Sequence, residues 1–168
     1  MTVFPADLAE AAADIIATYA ARGLMISTAE SCTGGLIAGA LTDISGSSAV
    51  VDRGFVTYTD EAKMDMLGVS QETLTAFGAV SRQTALQMAH GALYRSRADA
   101  TIAVTGIAGP SGGTAQKPVG LVHLAVKTRT QRSFHRTMHY GDCGRSEIRL
   151  ATVKTALEML AEAVQDVE

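Results

Sequence analysis

The chain has 168 residues, of which 47% are apolar, so it is long enough for one domain with a filled core and too short for two. A formal net charge of −3, with four Tyr, four Phe and no Trp, gives neither the basic field nor the stacking surfaces that nucleic-acid binding uses. Cys32 and Cys143 lie far apart, and no apolar run approaches the ~20 residues of a membrane span. We therefore expect a cytoplasmic protein with neither nucleic-acid nor membrane partners.

Taken in chain order, apolar spacing and capping residues predict helices that alternate with strands. The predicted elements are a helix over 6–22, a strand over 24–27, a helix from 36, a strand over 49–57, a helix from Asp60 to Gly68, helices capped by Ser70 and Ser81, a strand over 99–104, a hairpin of 119–127 with 133–140, and a helix over 145–164. This order predicts an α/β fold, a single three-layer α/β/α domain with a mixed, mostly parallel sheet.

The segment 28–35 places a hydroxyl, that of Ser31, between a predicted strand and the start of a helix. Gly34 and Gly35 leave backbone N–H groups open to a ligand, and the helix N-terminus adds partial positive charge. An oxyanion or a phosphate would be stabilised there, with Thr33 beside it. The alternative is that Ser31 or Thr33 only caps the helix.

Two further polar segments, 58–63 and 103–113, also follow predicted strands. In an open α/β sheet the ligand crevice lies beyond the carboxyl ends of the strands, so the three segments are expected to converge. Thr105, Gly106 and Gly109 offer a hydroxyl and backbone N–H groups to an anion. Their loop matches no established phosphate-binding pattern, so this signal is weak taken alone.

A serine needs a base to become nucleophilic, and Lys63 is the candidate. The helix dipole and desolvation both disfavour its charged form, and activity near neutral pH requires its pKa to fall by about 3 units from ~10.4. The alternative is a solvated lysine beside Asp60 and Glu61. The four histidines fall in predicted helix or hairpin positions away from the three loops: His90, His123, His135 and His139.

Four other residues near these segments have possible roles. Tyr58 could orient the Lys63 amine or relay a proton. Arg145 and Arg149, one helical turn apart, could hold a phosphate or be solvated. Cys32 is expected to be a small core residue, with the alternative that its thiol is the nucleophile.

Several motifs, in order and spacing, closely resemble the CinA C-terminal domain family, the nicotinamide mononucleotide amidohydrolases. The resemblance extends from about residue 6 to 160, and its motifs are 28–35, 43–48, 58–63, 78–81, 103–113 and 117–120. It implies hydrolysis of the carboxamide of nicotinamide mononucleotide to nicotinate mononucleotide and ammonia, with neither metal nor cofactor. Some members carry a further N-terminal hydrolase domain, whose activity is not expected of this chain.

Carried over by motif, the resemblance implies Ser31 as nucleophile, Lys63 as general base and Tyr58 as an assisting residue. It implies a substrate-binding role for Thr105 with its glycine loop and for Arg145. Segment 141–145 holds two more residues than the family's usual Gly-Asp-Arg, which leaves open whether Arg145 or Arg149 meets the phosphate.

Two alternative functions remain at this point, a non-catalytic nucleotide-binding module and a subunit that acts through DNA-repair partners. The partner that we expect is a small-molecule nucleotide substrate. An edge hairpin and apolar helices that need cover favour a homo-oligomer, a dimer.

Overall fold

The computed structural model describes residues 2–165, which form one five-stranded sheet between two layers of helices. The elements in chain order are α1 (Ala6–Arg22), β1 (Ile26–Glu30), α2 (Leu36–Thr42), a 3-10 turn (Ser47–Ala49), β2 (Val51–Val56), α3 (Asp60–Leu67), α4 (Gln71–Phe77), α5 (Arg82–Tyr94), β3 (Ala100–Gly106), β4 (Leu121–Thr128), β5 (Ser133–His139) and α6 (Arg145–Ala163).

The strands lie in the order β2-β1-β3-β4-β5. β1 is parallel to both β2 and β3, β4 is antiparallel to β3, and β5 is antiparallel to β4. Four of the five strands in the described chain therefore run in one direction. This confirms the predicted mixed, mostly parallel sheet of an α/β fold.

The sheet has a buried core on each face, and alternate residues of its central strand contribute to the two. Ile102 of β3 packs on one side with α1, α2 and α6, whereas Ala103 packs on the other side with α3, α4 and α5. This alternation is the two-residue period of a strand. Because both faces are covered, the loops at the carboxyl edge of the parallel strands are left to form a site.

The first strand runs later than predicted, over Ile26–Glu30 rather than 24–27. Glu30 pairs with Val56 on one side and with Val104 on the other, so the strand continues as long as both neighbours do. Hydropathy missed this because Thr28 and Glu30 are polar, yet each is fully buried.

The cap of α3 also differs from the prediction. Thr59, not Asp60, is the N-cap, and its hydroxyl accepts the N–H of Ala62. The predicted caps Ser70 and Ser81 are confirmed, since each side chain accepts a backbone N–H in the first turn of its helix. Thr59 fixes the start of α3 and with it the position of Lys63, one turn into the helix.

Helix α5 packs closely against the end of α3 at Gly91. A Cβ at this position would lie 1.8 Å from the carbonyl oxygen of Leu67, closer than any real carbon–oxygen contact. Glycine is therefore required here for packing. The contact holds the end of α3 against α5.

We expect Gly91→Ala to lower the free energy of unfolding by about 2–3 kcal/mol, because the two helices must separate to admit the methyl group. The matched control is Gly39→Ala in α2, where the added Cβ would meet the Phe4 ring at 3.4 Å. That change should alter stability by less than about 1 kcal/mol. Urea unfolding of both variants measures the difference, and equal stabilities would contradict the packing described.

Candidate active site

A cavity of about 270 Å³ lies beyond the carboxyl ends of β1, β2 and β3, where the three polar segments converge. Seven of the ten predicted site residues line it: Ser31, Tyr58, Lys63, Thr105, Gly106, Gly109 and Arg145. Thr33, Gly34 and Gly35 do not. The remaining lining includes Cys32 and small or apolar residues from 79–80, 107–108 and 111–112.

The Ser31 hydroxyl and the Lys63 amine meet at the base of this cavity. The Lys63 Nζ lies 3.2 Å from the Ser31 Oγ, within the reach of direct proton transfer. Ser31 follows β1, and its N–H donates to the carbonyl of Val104 at 3.0 Å, which ties the serine to the end of β3. Lys63 reaches it from the first turns of α3.

The surroundings of Lys63 suit an uncharged amine. The side chain is 1% exposed, so the alternative of a solvated lysine is wrong. Its Nζ also lies 2.9 Å from the Thr57 carbonyl oxygen and 3.4 Å from that of Tyr58. A neutral amine has two N–H groups for these two carbonyls and a lone pair left to accept the Ser31 proton.

Burial lowers the pKa of Lys63 below its ordinary value, and the charge of Asp60 opposes this only in part. Among residues 2–165, no carboxylate forms an ion pair with the amine. A charged group taken out of water without a counter-ion favours its neutral state. The site therefore provides a candidate general base beside a hydroxyl.

Glu30 has a structural role that sequence reasoning missed. Its fully buried carboxylate accepts the backbone N–H groups of Gly35, Ile37 and Ala38 at 2.9–3.1 Å, and the Thr33 hydroxyl at 2.7 Å. The negative charge thus sits on the positive N-terminus of α2. No local pattern in the sequence identified this cap, because the carboxylate reaches backbone groups up to eight positions along the chain.

This cap corrects the predicted role of Gly34 and Gly35. The Gly35 N–H donates to Glu30, and the Gly34 N–H donates to the Ser31 carbonyl at 3.0 Å. Neither group is open to a ligand, so the helix N-terminus does not hold a substrate anion. The alternative is also wrong, because neither Ser31 nor Thr33 caps α2 with its own oxygen.

The two arginines of α6 have different surroundings. Arg145 lies at the cavity mouth, where its guanidinium donates to the Gly109 carbonyl at 2.8 Å and to the Tyr58 hydroxyl at 2.9 Å. Arg149 does not line the cavity. It donates to the carbonyls of Cys32 and Thr33, both at 3.1 Å. Arg145 is therefore the arginine available to a ligand.

The Tyr58 side chain does not contact the amine in the way the sequence suggested. Its hydroxyl meets Arg145, and its link to Lys63 is through its backbone carbonyl. The Thr105 hydroxyl donates to the Ala79 carbonyl at 2.7 Å and can offer a ligand only its lone pairs. Both residues shape the cavity without touching the proton that Ser31 would lose.

Cys32 does not carry a reactive thiol. Burial raises its pKa to about 12, so the thiolate is scarce at neutral pH. The histidines also lie outside the cavity lining. Within residues 2–165 no group of three or more His, Cys, Asp or Glu is arranged to hold a metal ion.

The family model of the CinA C-terminal domain matches residues 8–164. The chain belongs to this family. It is 49% identical over 141 residues to the nicotinamide-nucleotide amidohydrolase PncC of Escherichia coli strain K12, which covers 83% of this chain and 84% of that protein. The chain is also similar to the competence/damage inducible protein CihA from Agrobacterium tumefaciens, whose crystal structure superposes with a TM-score of 0.97. The two sequences are 72% identical, and the match covers 98% of this chain and 100% of the CihA chain.

Other members of the CinA family are longer. A CinA-like protein of Endomicrobium trichonymphae is 48% identical over 152 residues, which covers 88% of this chain and 35% of that protein. The chain spans 29% to 36% of the length of four such curated relatives. No helix in the described part of the chain is both long enough and apolar enough to cross a membrane.

We expect the cost of burying the Lys63 charge to appear in the pH dependence of stability. The pKa of Lys63 is lower in the folded state than in the unfolded state. Below about pH 10.5 the unfolded lysine is charged, so burying it lowers the free energy of unfolding. Lys63→Met should therefore be more stable than the wild type at pH 7, and its advantage should shrink as pH rises toward 10.5.

Urea unfolding at several pH values between 7 and 10 measures this difference. The matched control is Lys154→Met, which removes an exposed lysine of α6 that pairs with Asp7 of α1. Its stability relative to the wild type should change little with pH. A Lys63→Met difference that is equally flat would show that Lys63 is not buried as a neutral amine.

Proposed function

We propose that this protein is a nicotinamide-nucleotide amidohydrolase that converts nicotinamide mononucleotide to nicotinate mononucleotide and ammonia. The observation that carries the proposal is the 3.2 Å distance between the Ser31 hydroxyl and the Lys63 amine, which is buried and forms no ion pair with a carboxylate of the described residues. The 49% identity to PncC, whose name is that of an amidohydrolase of nicotinamide nucleotides, supports the substrate class.

Acylation starts when the neutral Lys63 amine takes the proton of the Ser31 hydroxyl. The Ser31 Oγ forms a bond to the carboxamide carbon, and the carbonyl oxygen of the substrate becomes an oxyanion. As the C–N bond breaks, the Lys63 ammonium returns the proton to the leaving nitrogen. Ammonia departs and an ester links Ser31 to the substrate.

Deacylation reverses these roles with water. Lys63, neutral again, takes a proton from a water molecule whose oxygen attacks the ester carbon. The bond to the Ser31 Oγ breaks, and the ammonium returns the proton to that oxygen. The product is released as a carboxylic acid, which loses its proton to water and becomes the carboxylate, and the neutral amine is ready for another cycle.

The charge of the cavity favours an anionic substrate. The guanidinium of Arg145 brings a positive charge to its lining, and none of its lining residues is acidic. The Arg145 guanidinium has five N–H donors and gives two hydrogen bonds to Gly109 and Tyr58, so donors remain for a phosphate. We assign the phosphate of the mononucleotide to Arg145.

Ser31→Ala should lower the release of ammonia from nicotinamide mononucleotide by at least about 10³-fold, because no other activated nucleophile lines the cavity. The measurement is an ammonia assay on the purified variant, with circular dichroism to verify the fold. Binding of the nucleotide should persist. A wild-type protein that binds the nucleotide and releases no ammonia would instead be the non-catalytic binding module.

Arg145→Gln should lower kcat/KM for nicotinamide mononucleotide by about 10- to 100-fold, the typical value of a hydrogen bond between charged groups. The matched control is nicotinamide riboside, which lacks the phosphate. The riboside should be turned over more slowly than the mononucleotide, and its kcat/KM should be nearly the same in the variant and the wild type. Equal losses on both substrates would assign Arg145 to shaping the cavity rather than to binding the phosphate.

A further inference from the structure

Hydrolysis at Ser31 requires donors for the oxyanion, and the backbone of 31–35 limits the choice. The N–H groups of Gly34 and Gly35 are already used inside the protein. The Cys32 N–H, which follows the nucleophile directly, is accepted by no oxygen of residues 2–165. Cys32 itself lines the cavity. Its N–H is therefore the candidate donor nearest to the reacting carbon.

Arg149 holds the backbone that carries this N–H group. Its Nε donates to the Cys32 carbonyl and its Nη2 to the Thr33 carbonyl, each at 3.1 Å. The guanidinium is half-buried, and its fork geometry can bond two neighbouring carbonyls at once. A Cβ at Gly34 would lie 3.4 Å from Nη2, so the loop and the arginine are packed against each other.

A chain of peptide groups links Arg149 to the Cys32 N–H. In a planar trans peptide the C=O and the N–H point in opposite directions. Arg149 holds the Thr33 carbonyl, so the Gly34 N–H of the same peptide points away from it and donates to the Ser31 carbonyl. The peptide of that carbonyl carries the Cys32 N–H, which is turned away from the loop interior in the same manner.

The two ends of this chain have opposite character. A positive guanidinium lies at one end, and an N–H donor that no oxygen of the described residues accepts lies at the other, with two peptide groups and two hydrogen bonds between them. Successive hydrogen bonds polarise one another, so the charge strengthens the donor at the far end. On the other side of the loop, Glu30 holds the Thr33 hydroxyl and the start of α2.

We infer that Arg149 is a positioning residue, which fixes the peptides after Ser31 so that the Cys32 N–H stabilises the oxyanion of the tetrahedral intermediate. The inference rests on the proposed amidohydrolase function. Arg149 acts through the backbone and does not touch the substrate, whereas Arg145 binds the phosphate. The two arginines should therefore affect different kinetic constants.

The kinetic test compares Arg149→Gln and Arg149→Lys with Lys154→Gln, an exposed position on the same helix. Arg149→Gln should lower kcat by about 10- to 100-fold and leave KM within twofold, because a misplaced donor affects the transition state more than substrate binding. The pH of half-maximal kcat should not move, since Lys63 is untouched. The kcat of Arg149→Lys, whose amine can hold only one carbonyl, should lie between those of Arg149→Gln and the wild type. The kcat of Lys154→Gln should match that of the wild type.

A second measurement does not depend on turnover. Amide hydrogen exchange at Gly34, followed by NMR, should be at least tenfold faster in Arg149→Lys and Arg149→Gln than in the wild type, while the amides of β3 keep their protection. An unchanged Gly34 rate would overturn the inference. So would an unchanged kcat, a raised KM at constant kcat, or an equal loss in Lys154→Gln. If the wild type releases no ammonia, the proposed function fails, and the Gly34 rate still decides whether Arg149 holds the loop.

Discussion

The chemistry that we propose for this site depends on keeping the Lys63 amine out of contact with water. An ammonium group removed from water without a counter-ion costs several kcal/mol, so burial alone disfavours the charged state of Lys63. The fold keeps the amine in place by fixing α3 at both ends, with the Thr59 cap at its start and the contact between Gly91 and Leu67 at its finish. If α3 moved outward, the amine would be hydrated and protonated, and Ser31 would lose the base that we propose for it.

The N-terminus of α2 shows how the protein supplies its own anion. In many α/β proteins a helix start beside glycines binds a ligand phosphate, and the sequence of 31–35 fits that use. Here the carboxylate of Glu30 occupies the position, and it makes four hydrogen bonds to the loop and the helix. The positive end of the helix therefore binds a carboxylate of the protein itself, and Thr33, Gly34 and Gly35 do not line the cavity.

The order and type of the elements could be predicted because they depend on local signals, namely apolar periodicity and capping hydroxyls. The convergence of Ser31 and Lys63 could also be predicted, because parallel strands place the residues that follow them at one edge. The contacts of Glu30 and Arg149 could not. Glu30 binds a backbone group 8 positions away and Arg149 one that is 117 positions away. Neither hydropathy nor the spacing of residues indicates which donor will meet which acceptor over such separations. The same holds for Tyr58, whose hydroxyl meets an arginine 87 positions away.

The segment before α6 shows how the chain is turned to bring an arginine to the cavity. Gly141 and Gly144 both adopt positive φ angles, of 77° and 101°, so the chain can turn sharply on each side of residues 142–143. A Cβ added at Gly120 would lie 2.4 Å from the carbonyl oxygen of Gly141, so the loop packs tightly against the start of β4. Arg145 follows as the first residue of α6 and lines the cavity. Arg149 follows one turn later on the same side of the helix, which places it against the loop that follows Ser31. Helical spacing alone therefore gives two like-charged side chains different surroundings, one at the cavity and one at the backbone behind it.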